Sequence, residues 1–140
     1  VTVNRPFLLV AFRVWLTEIL ISGFNYFVLM GLVYEPLWGE LRAHQIGMTT
    51  RICYIVVLAW LLQRSNPDHD GRDLVHAGLL WLGSALVFEW AGSLLIQRRP
   101  VDEILVGWQV WKGYLWPYVL LAYLLANPLV GLARRTRAAG

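Results

Sequence analysis

The sequence predicts an all-α fold, a four-helix transmembrane bundle, and three observations carry that expectation. Of the 140 residues, 58% are apolar and only 15% are charged, whereas a soluble domain carries about 25% charged residues. The apolar residues fall into four runs, each able to supply roughly 20 residues of helix, the length that crosses about 30 Å of hydrocarbon. Eight Trp and six Tyr are more than a soluble core of this length uses, and they suit the two interfaces of a bilayer. A transmembrane barrel is disfavoured. It needs alternating segments of about ten residues, and these runs are continuous and carry Gly and Ala throughout. The chain, 1–140, reads as a single integral membrane domain.

The first span covers about 7–33 and is interrupted by Arg13, Glu18 and Asn25. Glu35-Pro36 and Gly39 close it, because the residue before a proline is driven out of helical geometry. The second span, about 44–63, is the shortest and recruits residues from Leu41 onward. Ser65-Asn66-Pro67-Asp68-His69-Asp70-Gly71 is a polar loop, and the third span follows at about 74–96 with Glu89 inside it. Pro100 can open a short helix running to Val110. That helix either lies in the interface or extends the fourth span, placed at about 106–128 with Lys112 in its early part. Pro117 lacks an N–H and is expected to leave the Gly113 carbonyl free for another partner.

Four spans put both termini on one side. That side carries Arg5, Arg64, Arg72 and the tail Arg134-Arg135-Thr136-Arg137. The positive-inside rule therefore predicts a multi-pass protein of the cell inner (cytoplasmic) membrane with cytoplasmic termini. No cleavable signal peptide is expected, since the first apolar run is too long for an h-region. The single Cys53 excludes an internal disulfide framework and any multi-cysteine metal site. No nucleic-acid partner is expected, because the basic residues are scattered or sit at helix ends.

Charges at membrane depth are costly and face the bundle interior or pair with each other. Glu18, Ser22 and Asn25 share one face of the first helix at i, i+4, i+7 spacing. Counted from the expected helix ends, Arg51, Glu89 and Lys112 lie at similar depth in the non-cytoplasmic half. Glu89 is therefore expected within reach of Arg51, Lys112 or Arg42. Glu18, Asn25, Arg51, Glu89 and Lys112 form the expected intramembrane polar cluster. It is either a buried ion-pair network that fixes helix order or the lining of a cavity. A cavity with excess positive charge would favour an anion or a lipid headgroup. Glu35, Glu40, Arg42 and His44 in the first outer loop are the other candidates. Glu40 and His44 could share a metal if helical, but two ligands do not make a site, and no metal or cofactor is expected. Trp90 and Trp116 flank the Glu89 level and could cover a cation face-on.

No P-loop, HExxH, dinucleotide or GxSxG motif is present. Phe88-Glu89-Trp90-x-Gly92, Gly113-Tyr114-Leu115-Trp116-Pro117 and Gly39-Glu40-Leu41-Arg42-Ala43-His44-Gln45-Ile46-Gly47 together resemble a recurrent type of small bacterial four-helix integral membrane protein of unassigned function. The resemblance implies the architecture and carries no activity.

Three function classes follow. The first is an accessory or structural subunit of a membrane complex or homo-oligomer, with the bilayer and other membrane helices as partners. The second is a small channel or transporter for an ion or anionic solute. The third is a membrane enzyme acting on a lipid or quinone-like substrate, which would need an acid–base pair such as Glu89 with Lys112 or His44. Four short helices leave little room for a private transport route within one copy, which favours partners in the first two classes, and a non-enzymatic role is favoured over an enzymatic one.

Overall fold

A computed structural model of the chain describes residues 3–139, and among them every regular element is helical. Helix α1 is Arg5–Trp38, α2 is Glu40–Ser65 and α3 is Gly71–Ile96. A short α4 covers Val101–Val106, a 3-10 turn covers Val110–Lys112, and α5 runs Trp116–Ala139. Helices α1, α2, α3 and α5 are long and apolar enough to cross a membrane.

The ends are set by local chemistry. Asn4 caps α1 by accepting the Phe7 N–H at 3.3 Å, and its Nδ2 donates across the bundle to the Asp68 carbonyl and the Asp73 carboxylate, both at 3.0 Å. Asp70 and Asp73 form a reciprocal capping box at the start of α3. Arg135 lies beside Gly71. The start of α1, the α2–α3 loop and the end of α5 therefore gather at one end, here the tail end. Gly39 and the segment 97–115 lie at the other, the Gly39 end.

Three helix boundaries differ from the sequence expectation. Pro36 does not stop α1, because it falls in the first turn of a new helical segment, Glu35–Trp38; the break comes at Gly39, whose φ of 89° suits only glycine. Helix α2 starts at Glu40 rather than near 44. The last long helix starts at Trp116 rather than near 106, because Gly113 takes a left-handed φ of 93° and separates the α4 region from α5. Pro117 then sits in the first turn of α5, where its missing N–H costs nothing. The expected free Gly113 carbonyl is found, and it accepts from Gln45 Nε2 at 3.0 Å.

Helix α1 crosses the bundle. Its first half, Arg5–Phe24, packs on α3, whereas its second half packs chiefly on α2. The second half, Asn25–Tyr34, is π-helical, and the wider turn brings Asn25 and Met30, five residues apart, to one buried face. Asn25 Nδ2 donates to the Gly47 carbonyl at 3.0 Å, and the Met30 thioether fills the space a Cβ on Gly47 would take. Leaning onto α2 in this way, α1 opens a gap from α3 at the Gly39 end.

The tail-end half is solid. Ile55, Ala59, Leu62, Ala77 and Trp81 are each no more than 1% exposed, and Trp81 Nε1 donates to the Ala11 carbonyl at 2.8 Å. Gln63 Nε2 donates to the Asn127 carbonyl at 3.0 Å and to its Oδ1 at 3.2 Å, joining α2 to α5. Pro128 offers no N–H to Leu124, and the Leu124 carbonyl lies directly against Gly78. Such backbone approach between helices requires a residue without a side chain. Gly78→Ala is expected to destabilise the bundle by about 1–3 kcal/mol through overpacking. Gly83→Ala, with open space around it, is expected to be neutral or stabilising by up to about 1 kcal/mol. Denaturant titration of both variants in mixed micelles checks the contrast, and equal effects would contradict it.

Candidate functional site

Glu18 on α1 is 1% exposed, and an ionised carboxylate at that depth must be surrounded by donors. Its Oε1 accepts from Ser22 Oγ at 2.6 Å and from Arg51 Nε at 3.0 Å. Its Oε2 accepts from Tyr123 OH at 2.5 Å. Arg51 also donates to Tyr123 OH at 2.6 Å, and Tyr54 OH lies 2.5 Å from Ser22 Oγ. With the Ser22 proton committed to Glu18, Tyr54 is the donor in that last contact. Three helices, α1, α2 and α5, meet in this knot. The Arg51 guanidinium carbon stands 5.1 Å from the Trp116 ring centre and 5.6 Å from that of Tyr123. The Trp116 face thus shields its charge, and Tyr123 meets it with its hydroxyl.

Trp116 continues the network. Its Nε1 donates to Glu89 Oε2 at 2.8 Å, and Trp108 Nε1 donates to Glu89 Oε1 at 3.1 Å. Glu89, half-buried on α3, is therefore held by two indoles. Among the described residues the ion pairs are Arg51–Glu18 and Arg99–Glu103, and none involves Glu89.

The loop that delivers Trp108 and Trp116 is clamped by α2. His44 Nε2 accepts the Leu115 N–H at 3.0 Å, and Gln45 holds Gly113 as described. His44 is thereby assigned as the tautomer protonated on Nδ1. Its ring packs edge-on against Tyr114 at 5.1 Å between centroids.

Above this layer the gap between α1 and α3 forms a cavity of about 420 Å³. Arg51 and Met48 lie at its base, Tyr26 and Phe27 on the α1 side, and Phe88 and Glu89 on the α3 side. Glu35, Glu40, His44, Arg99 and Glu103 complete it towards the Gly39 end. A larger groove, about 720 Å³, runs along the outside of α3 beside Phe12 and Trp15. Its walls are almost wholly apolar and it holds no set of groups that could do chemistry.

The expected cluster is thus divided. Glu18 and Arg51 meet directly. Asn25 supports the fold one turn away, through Gly47. Glu89 bonds to indoles and not to the cations expected beside it. Lys112 is exposed in the 3-10 turn before α5, because the helix that was to carry it inward starts only at Trp116. Glu35, Glu40 and His44 face the cavity, whereas Arg42 is exposed and does not line it. The cavity also does not carry the expected positive excess, since Glu35, Glu40, Glu89 and Glu103 outnumber Arg51 and Arg99. Among the described residues no three His, Cys, Asp or Glu converge as a metal-binding group. Tyr54, Tyr123 and Trp108 are the site residues that sequence reading did not single out. Only Tyr123, seven residues after Trp116 and on its face, carried a signal. Comparison with family models, curated proteins and solved structures returned no match.

Removing one member of the buried pair leaves the other uncompensated. Arg51→Met is expected to destabilise the protein by roughly 3–5 kcal/mol, whereas replacing both members is expected to cost much less than the sum of the single changes. A double-mutant cycle with Glu18→Gln, followed by denaturation in detergent, measures the coupling. Additive effects would show that the contact contributes nothing.

Proposed function

We propose that this chain is a multi-pass integral protein of the cell inner membrane, with both termini cytoplasmic, and that it works as an accessory or structural subunit beside other transmembrane helices. Membrane placement is supported by the residues on the bundle surface. Leu20, Leu32, Leu95 and Ile96 are each more than 70% exposed on helices of spanning length, a surface that water would penalise and lipid tolerates. The orientation rests on Arg5, Arg64, Arg72, Arg134, Arg135 and Arg137, which belong to the segments meeting at the tail end.

The observation that carries the subunit reading is that the polar cavity opens at one end of the bundle only. The cavity ends on Arg51, and beyond the Glu18 knot the helices close on Ile55, Ala59, Leu62, Ala77 and Trp81. A single copy therefore offers no continuous polar route, and conduction would require partners or a second conformation. The cavity itself favours transport as the second reading. The enzyme reading is weakened at its acid–base pair: His44 Nε2 is occupied by the Leu115 N–H, and Lys112, the other expected partner of Glu89, is exposed in the turn before α5.

Reporters fused at either terminus are expected to respond as cytoplasmic, and opposite responses would end the topology. Native mass after gentle extraction is expected to show a homo-oligomer or a fixed ratio to another membrane protein. A lone protomer that is fully active in a lipid assay would overturn the subunit reading.

A further inference from the structure

We infer that the cavity between α1 and α3 is a binding site for an organic ammonium ion with a compact apolar body. The inference rests on the membrane placement proposed above, because the gap is lined by α1 and α3 faces that would open towards lipid. It does not depend on which partners the bundle has.

Charge accounting comes first. Both cations at the cavity already have a carboxylate: Arg51 bonds to Glu18 at 3.0 Å, and Arg99 reaches Glu103 at 3.8 Å. Glu89 inside the cavity, with Glu35 and Glu40 at the Gly39 end, has no cation within ion-pair distance among the described residues. Uncompensated carboxylates in a cleft with low-dielectric walls attract positive charge. Each Glu89 oxygen takes one indole N–H. A carboxylate offers about four lone-pair sites, so acceptor capacity remains.

The walls decide which cation. Tyr26, Phe27, Phe88, Tyr114 and Trp116 line the cavity, and aromatic faces hold alkylated ammonium groups well. A small hydrated metal ion would need several oxygen ligands in place of its water, and no metal-binding group of His, Cys, Asp or Glu converges here among the described residues. The volume of about 420 Å³ lies in the range of small-ligand pockets, roughly 300–1,000 Å³. An anion would meet four carboxylates against two guanidiniums, of which Arg51 is already bonded to Glu18.

The test uses the full chain purified in maltoside micelles, with equilibrium dialysis against labelled benzyltrimethylammonium and, separately, benzoate. Saturable binding of the cation and none of the anion is expected. Glu89→Gln is expected to weaken binding about tenfold or more, and the surface double variant Glu35→Gln/Glu40→Gln about two- to fivefold. Helicity and melting are recorded for every variant, and the surface double variant keeps the test open should Glu89→Gln fail to fold. Displacement of the probe by a short-chain phosphocholine lipid assigns a lipid headgroup as the ammonium source, and its absence assigns a free amine; either result supports the site. Folded, membrane-extracted wild type that binds no cation would overturn the inference, as would a preference for benzoate or affinity unchanged in both variants. A chain recovered from the soluble fraction would instead fail the membrane reading.

Discussion

Glu18 sets the terms for the rest of the bundle. A charged carboxylate 1% exposed in the middle of an apolar assembly is tolerable only if every nearby group donates to it. Arg51 arrives from α2, Tyr123 from α5 and Ser22 from the next turn of α1. Those contacts fix the rotation of three helices at once, because each donor reaches Glu18 only when the face that carries it is turned inward. Helix α3 is not bonded to Glu18. It joins through Glu89, whose acceptor oxygens hold the Trp116 indole, and Trp116 in turn covers Arg51. One buried charge thereby orders all four long helices, a task that apolar packing between lipid-facing helices performs poorly.

The cavity is the geometric complement of that order. Near Glu18 the helices are drawn together. Towards the Gly39 end, α1 is diverted onto α2 by its π-helical stretch, by Asn25 on the Gly47 carbonyl and by Met30 against Gly47. The α3 side is left uncovered, and the α4 segment with its following loop closes over part of it. His44 and Gln45 hold that loop through backbone groups, so the placement of Trp108 and Trp116 depends on hydrogen bonds that act at a fixed distance. The π turn, the notch at Gly47 and the left-handed Gly113 are separate local features that converge on one opening.

How much of this was legible in the sequence depended on whether a feature was periodic or positional. The all-α class, the four long helices and the shared face of Glu18, Ser22 and Asn25 follow from composition and helical spacing, and they are present. Spacing groups Glu18 and Arg51 in one cluster but does not reveal their direct pairing, because the depth of Arg51 depends on a helix start at Glu40 that hydrophobicity does not mark. Beginning at Glu40, α2 carries Arg51 more than two turns deeper than the rim, down to the level of Glu18. Lys112 was placed inside for the same kind of reason, since the break at Gly113 depends on a backbone conformation that spacing does not reveal. Trp116 was read as a ring that could cover a cation, and it does so for Arg51 rather than for Lys112. The indole clasp on Glu89 was not legible, because Trp108 reaches it from a folded-back loop outside helical periodicity.

Trp116 is where the structural and ligand-binding halves of the molecule become one system. Its ring lies over Arg51, and its Nε1 bonds to Glu89, so any displacement of the indole alters both contacts. A cation seated against Glu89 at the proposed site shares the carboxylate with that indole N–H and so bears on the position of the ring. The ring face it disturbs is the same one that shields the buried guanidinium. Linkage between two such sites is reciprocal in free energy: whatever the buried pair contributes to holding Trp116 in place is part of the affinity of the cavity. The half of the bundle below Arg51, where the Gln63–Asn127 contact joins α2 to α5 and Trp81 bonds to the Ala11 carbonyl, has no comparable polar opening.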